Sequence, residues 1–278
     1  VAVYRIADHH RSRVISDAMA EGIAAAGDVP VLAYEHEFAG QPVADAAVFY
    51  GLEGRLPHVF AAYKGIGRAV YVDLGYWDRR RGGRFAGFHK IAVNARHPTA
   101  YFRRPAHPPD RLRAVAAPIK PWRRNGRHVL VAGMGDKGAR AEGYATEAWE
   151  RWAIGELQRY TARPIVYRPK PSWKKARPIA GTIYSPRTRE VADELRDCWA
   201  VVTHHSNVAV DAIMAGVPAF CWEGVAACMS GQELAGIESP PMPDGREQWA
   251  ADIAYTQWSV EEMRTGAAWR HLRQEGLL

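Results

Sequence analysis

Short apolar runs of four to six residues recur along the chain, separated by polar turns and by stretches with helical periodicity. Residues 1–6 (VAVYRI) have the pattern of a buried strand. A helical pattern then runs to Ala26 and stops at Gly27-Asp28, and residues 29–34 predict a second strand. Strands follow at 46–51, 68–73 and 89–94, with a short helix at 56–63. Between 105 and 126 periodicity is lost, and Pro105, Pro108, Pro109, Pro118 and Pro121 mark a linker that divides the chain into domains 1–120 and 121–278. The second half predicts strands at 128–132, 164–168, 198–203 and 219–222, and helices at 142–160, 188–197 and 208–215. Helices at 246–254 and 260–273 close the chain. Alternation of strand and helix in both halves gives an α/β chain with two Rossmann-like domains.

Composition adds limits. With 278 residues, 47% hydrophobic and 24% charged, the chain has ordinary globular make-up. No apolar run approaches the roughly 20 residues of a membrane span, and the N-terminal residues lack the layout of a signal peptide, so a cytoplasmic protein with no membrane partner is expected. Cys198, Cys221 and Cys228 have no metal-site spacing and are expected as buried free thiols. The net charge of +7 is unevenly spread: residues 78–127 hold fourteen Lys or Arg against Asp78 and Asp110, a net +12, while the flanking segments are slightly acidic. There Tyr76, Trp77, Phe85, Phe88, Tyr101, Phe102 and Trp122 alternate with Arg79, Arg80, Arg81, Arg84, Arg103, Arg104, Arg123 and Arg124, a mixture suited to phosphates and unstacked bases. A solvated basic face is the plain alternative.

Candidate chemistry in the first domain follows from position. Asp8, His9 and His10 come directly after the first strand, at the carboxyl edge where α/β sheets place ligands, although Asp8 is also a helix-cap residue type. Asp73 ends a strand and is followed by Leu-Gly-Tyr-Trp77, which makes it a candidate general base; an Asx-turn is the competing reading. Asn94 and Arg96 lie in the polar loop after the next strand and are candidate acceptor contacts.

In the second domain the stretch 203–220, THHSNVAVDAIMAGVPAF, is a strand end, a polar turn and a helix stopped by Gly216-Val-Pro218. His204 to Asn207 fall where the first N–H groups of the helix lack internal partners, a place for an anion such as phosphate. Gly133-Met-Gly-Asp-Lys-Gly138 follows the first strand of this half but lacks Walker spacing. Arg168-Pro-Lys170 emerges as another strand ends, its two cations held by proline-fixed backbone.

Ser206, Asn207, Asp211, Gly216 and Pro218 resemble the "SNxxxDAxxxGxP" element of GT-B glycosyltransferases, versions of which occur in capsule-polysaccharide, glycerophosphotransferase and sialyltransferase-like enzymes. The resemblance implies two Rossmann-like domains facing across a cleft, with a last helix returning to the first domain. It also implies a nucleotide-sugar donor, UDP-linked by expectation, held through Gly135, Lys137, Arg168, Lys170, His205, Ser206, Asn207 and Asp211. An acceptor domain at 1–120 would carry the catalytic carboxylates Asp73 and Asp8. No metal ligand set and no cofactor are expected, and the chain is expected to be a monomer. Small size and a basic first half further resemble phage DNA-modifying glycosyltransferases, which implies double-stranded DNA with hydroxymethylated pyrimidines as acceptor. On that reading His9, His10, Trp77, Arg79, Arg80, Arg81, Arg84, Asn94, Arg96, Arg103 and Arg104 contact it. A transferase acting on a surface polysaccharide or polyol-phosphate polymer, and a non-catalytic DNA-binding protein, are the alternatives.

Overall fold

The computed structural model describes residues 1–83 and 85–278; Arg84, one of the candidate DNA contacts, lies outside the described residues. The chain forms two compact units, Val1–Ala116 joined by Ala250–Leu278, and Ala117–Trp249.

Unit 1 begins with β1 (Ala2–Arg5), α1 (His10–Ala25), β2 (Val31–Tyr34), β3 (Ala47–Tyr50), α2 (Leu56–Gly65), β4 (Ala69–Leu74), β5 (Phe88–Val93) and α3 (Asp110–Val115). Unit 2 contains β6 (His128–Ala132), α4 (Gly135–Ala141), α5 (Ala148–Tyr160), β7 (Ile165–Arg168), β8 (Ile183–Tyr184), α6 (Val191–Glu194), β9 (Cys198–Thr203), α7 (Val208–Met214) and β10 (Ala219–Cys221). The chain then runs through α8 (Arg246–Ala254) into β11 (Gln257–Ser259), α9 (Val260–Arg264) and α10 (Ala267–Gln274) of unit 1.

The unit 1 sheet has the order β11-β5-β4-β3-β1-β2. β2, β1, β3 and β4 are mutually parallel, and β5 is antiparallel to both its neighbours. Alternate strand residues feed two cores. Val3, Val48, Val70, Val72 and Ile91 pack with Ile15, Met19 and Ile23 of α1 and with Met263, Trp269 and Leu272 of the tail. Tyr4, Phe49 and Tyr71 pack on the other face with Leu56, Val59 and Tyr63 of α2. The tail sits close on α1 because Gly22 has no side chain: a Cβ there would run into the Met263 carbonyl oxygen. Trp269 Nε1 donates to Asp28 at 2.7 Å, and Arg264 pairs with Glu21 at 2.9 Å.

The unit 2 sheet is entirely parallel, in the order β10-β9-β6-β7-β8. Its strands other than the edge strand β8 are buried on both faces, as parallel strands covered by helices are. Val129, Val131, Ala200 and Val202 face Trp149, Ala153, Ile154 and Leu157 of the amphipathic α5.

Several sequence expectations shift. The helix expected over 142–160 begins only at Ala148, after Glu147 takes a left-handed conformation at φ 62°, and a separate helix, α4, has already formed in the glycine-rich stretch. The closing helix expected over 260–273 is two helices, because Gly266 at φ 80° breaks it. The helix expected over 188–197 is the single turn α6. β11 had no signal: three residues, one of them Gln257, are too few for a period.

Candidate functional site

Each sheet presents a carboxyl edge, and both edges collect candidate side chains. In unit 1, β4 ends at Asp73 and Leu74. The half-buried Asp73 carboxylate accepts from Tyr71 Oη at 2.8 Å on one oxygen and from the Leu74 N–H at 2.8 Å on the other. Lys90 is its register partner on β5; it is buried, its Nζ donating to His97 Nδ1 at 3.2 Å and lying 5.9 Å from the centre of the Tyr76 ring. Burial, then the Asp73 charge, pushes the Tyr71 hydroxyl well above its ordinary value. The loop after Asp73 is anchored by the tail, since Gln257 Oε1, fully buried on β11, accepts the N–H groups of Tyr76 at 2.7 Å and Trp77 at 3.1 Å. Gly75 is required there, because a Cβ would lie 2.7 Å from the Phe88 carbonyl oxygen and 2.9 Å from Gln257 Oε1.

On the α1 side of the same edge, Arg11 donates to Tyr50 Oη at 3.2 Å, and His89 lies edge-on to Tyr50 at 5.9 Å. Burial holds His89 neutral, with its pKa down to about 4, and raises Tyr50 to about 12. His89 Nδ1 donates to the Gly87 carbonyl oxygen at 2.9 Å, which leaves Nε2 as the basic nitrogen.

The sequence candidates of unit 1 separate into distinct roles. His9, rather than Asp8, caps α1, its Nδ1 accepting the Ser12 N–H at 3.1 Å. Asp8 is exposed in the preceding turn, and His10 packs edge-on to Phe85 at 4.7 Å. Asn94 is a structural residue at the amino end of β4: at φ 57°, it accepts the Ala69 N–H at 2.9 Å and donates to the Gly67 carbonyl oxygen at 2.6 Å. It therefore lies at the edge opposite Asp73. Arg96 is half-buried and close enough to Tyr71 to act on it electrostatically.

The basic aromatic segment is not a stacking platform. Tyr76, Trp77, Phe88, Tyr101 and Phe102 are buried in the core, so their faces are not offered to bases. Arg79 donates to the carbonyl oxygens of Gly75 at 2.6 Å and Tyr76 at 2.8 Å. Arg81 pairs with Asp78 at 2.5 Å and donates to Ala114, and Arg104 donates to Ala100 at 3.0 Å. Arg80 and Arg103 are exposed.

In unit 2, β6 delivers Gly133 to Gly135 to the carboxyl edge. Gly135 adopts φ 72°, and a Cβ there would lie 3.2 Å from Lys170 Cβ and 3.3 Å from Trp173 Cβ. The exposed Lys170 thus rises directly beside the β6–α4 turn, and Lys137 is exposed on α4. The amides of this turn already have an anion. Glu150, 1% exposed on α5, accepts the Met134 N–H at 2.8 Å. Burial pushes its carboxyl up, opposed by donors that include Met134 and Gly135. Nothing in the sequence distinguished Glu150 from its neighbours on a helix.

Arg168 is not beside Lys170 in function: it is buried, donates to the Arg189 carbonyl oxygen at 2.8 Å, and burial lowers its pKa against the pull of Glu194 and Glu190. The expectation that both cations point at one oxyanion fails because the Arg168 side chain is buried on the Arg189 carbonyl oxygen, whereas Lys170 lies past the end of β7 and is exposed.

β9 ends at Thr203, whose Oγ1 donates to the Ala132 carbonyl oxygen at 2.7 Å and ties the two central strands together. His204 is pinned through its carbonyl oxygen by the N–H groups of Trp222 at 3.1 Å and Glu223 at 2.8 Å. Its Nδ1 lies 3.0 Å from His205 Nδ1, and His205 Nδ1 lies 3.5 Å from Glu142 Oε1. Ser206 and Asn207 are half-buried in the turn; Ser206 Oγ accepts the Val208 N–H at 3.3 Å, and Asn207 is the N-cap position without a side-chain cap bond. Asp211 is half-buried one turn into α7. Among the donor candidates, Gly135, Lys170, His205, Ser206 and Asn207 therefore share one sheet edge; Arg168 ends β7 at that edge, paired with Ala132, but its side chain is buried.

No family model matches the sequence, and no curated protein is similar to it in sequence. Solved structures do match in fold. The beta Kdo 2,4 transferase of Thermosulfurimonas dismutans KpsC matches with TM-score 0.54 and 13% identity, covering 93% of this chain and 92% of that one. The beta Kdo 2,7 transferase of the same protein matches with TM-score 0.50 and 12% identity, covering 96% and 98%. At such identities the likeness is one of fold, and this chain has the GT-B-like pair of Rossmann-like units seen in those transferases.

Proposed function

We propose that this chain is a glycosyltransferase that moves a sugar from a nucleotide-activated donor to a hydroxyl of a surface-polysaccharide acceptor. The observation that carries the reading is the fold likeness over nearly the whole chain to the two Kdo transferases of Thermosulfurimonas dismutans KpsC. Unit 2 is the donor half: Lys170, Lys137 and the His205–Asn207 turn offer cations and donors along one edge of a parallel sheet, where α/β folds take phosphates. Unit 1 supplies the base. Asp73, oriented by Tyr71 and the Leu74 N–H, takes the acceptor proton as the hydroxyl oxygen attacks the anomeric carbon and the nucleotide leaves with the bonding electrons. Kdo, the sugar named for both matching transferases, heads the list of donors, ahead of UDP-hexoses.

Hydroxymethylated pyrimidine in DNA is the second acceptor reading. It is supported by the net +12 of residues 78–127 and by exposed Arg80 and Arg103, and it has lost the aromatic half of its argument to the core. The test incubates the chain with radiolabelled nucleotide-activated Kdo and with UDP-hexoses, each against a capsule-type oligosaccharide and hydroxymethylated duplex DNA. Label on the oligosaccharide alone supports the reading, label on DNA transfers it to the second, and absence of donor binding and of label removes both.

A further inference from the structure

We propose that Glu142, His204 and His205 form a divalent metal site of the zinc type at the carboxyl edge of unit 2. The donor atoms of these three residues all lie within 4.8 Å of one another. Two of the separations are tighter still, 3.0 Å between the histidine Nδ1 atoms and 3.5 Å from His205 Nδ1 to Glu142 Oε1. Ligands held about 2.1 Å from a zinc-like ion stand about 3.0 to 3.4 Å apart, the edges of an octahedron and a tetrahedron. These two spacings are close to those of ligands sharing one ion.

The surroundings suit a cation. Two imidazoles and a carboxylate are ligand types that hold a zinc-like ion. The backbone is preset for this. Thr203 locks the end of β9 to β6, and the His204 carbonyl oxygen is held by Trp222 and Glu223, so the rings start from a fixed base. The Glu142 side chain is 7% exposed and that of His205 16%. Tyr144 and Trp149 stand edge-on to the His204 ring at 5.6 and 5.7 Å, making an apolar wall that limits water.

A second cluster of the same residue types shows what an unsuitable set looks like. His107, His271 and Glu275 also bring ligand atoms together in unit 1. There His107 already lies 3.4 Å from Asp252 and stacks on Tyr255 at 4.3 Å. His271 is held down to about pKa 4 by burial, by His107 and by the Arg111 charge, and a guanidinium that opposes protonation opposes a metal ion in the same way.

Two neutral imidazoles and one carboxylate leave a bound divalent ion with a net positive charge and an open coordination position, the arrangement of ions that act on substrates. Its bearing on the reaction rests on the donor reading above: beside Lys170 and the Ser206 turn, such an ion would neutralise a leaving phosphate. Metal binding itself does not depend on that reading, and its test contains no nucleotide.

The full chain is stripped with a chelator and titrated with Zn²⁺ against a chromophoric competitor, with Co²⁺ as the spectroscopic probe. One equivalent of Zn²⁺ and a visible Co²⁺ spectrum are expected. Glu142→Gln and His205→Gln, checked for folding by circular dichroism, should weaken binding at least about 10-fold, the loss that outer-shell changes already cause at known sites, while His271→Gln should leave it unchanged. Where a variant fails to fold, long-range ¹H–¹⁵N spectra of the wild-type histidine rings decide, because two Nδ1 signals should move with the first equivalent of Zn²⁺. Absence of binding, binding lost with His271→Gln, or histidine signals that ignore the metal would show a hydrogen-bonded triad only and overturn the proposal.

Discussion

At the carboxyl end of β4 a carboxylate, a phenol, a buried lysine and a histidine are connected in two short hydrogen-bonded pairs, whereas at the carboxyl end of β6 the chain turns through glycines over a buried glutamate and leaves its cation, Lys170, in solvent. The first edge is arranged to set protonation states, since its groups are partly removed from water and face one another. The second is arranged for close approach, since Gly135 keeps the backbone bare and the mobile charge comes from a lysine side chain. On the proposed function, proton chemistry belongs to unit 1 and anion binding to unit 2, and the difference can be broken by experiment.

The largest effect is expected from Asp73→Asn. It keeps the Leu74 contact but removes the base, so the turnover rate should fall about 1,000-fold with donor affinity unchanged, as read by single-turnover transfer and calorimetry. Equal loss of donor affinity would erase the division between the two edges. Next comes acid. His89 takes up its proton near pH 6.5 in the unfolded chain but only near 4 in the folded one, so the unfolded state binds the extra proton between these values. Stability should be full above pH 6.5 and decline as pH falls toward 4, by up to about 3 kcal/mol from this residue. Hydrogen exchange followed from pH 7 to 4 should show unit 1 loosening first, and His89→Gln should flatten the decline.

Gln257→Leu should cost about 2–3 kcal/mol by leaving the Tyr76 and Trp77 N–H groups buried without an acceptor, measured by urea unfolding; its transfer rate should also drop, because the loop after Asp73 loses its anchor. Lys170→Ala, at the other edge, should weaken donor binding about 10-fold, or about 1.4 kcal/mol, with protein stability unchanged. The smallest effect is expected from Arg80→Glu with Arg103→Glu. Transfer to an oligosaccharide should stay within about twofold, as for exposed surface changes, and a large loss confined to a DNA acceptor would restore the second reading.

Much of this fold was legible in the sequence because parallel strands buried on both faces must be apolar throughout. Residues 128–132 and 198–203 carried that signal and are β6 and β9. Asp73 at a strand end and the His204–Asn207 turn were legible for the same reason, since the position of a polar residue after such a run fixes its edge. The rest depended on partners that no local pattern encodes. Lys90 and His89 sit within an apolar strand, and only the antiparallel pairing of β5 puts Lys90 opposite Asp73. The segment 78–127 showed its charge correctly, but alternation of Arg with aromatics looks the same whether the rings face solvent or, as Tyr76 and Tyr101 do, fill the core. Arg168 misled because nothing local shows that its side chain turns inward to the Arg189 carbonyl oxygen, while Lys170, beyond the end of β7, is exposed.

Unit 1 is written in two pieces of the chain, and its second piece carries β11, the Gln257 anchor and the helices that close over Gly22. On a ribosome, therefore, the segment bearing Asp73 emerges first and waits while Ala117–Trp249 is translated, roughly ten seconds or more at ordinary elongation rates. Unit 2 has all of its strands before unit 1 has its last. During that interval β5 is an open sheet edge and the α1 face that the tail later covers is bare, so the nascent first half exposes apolar surface until the last residues are made.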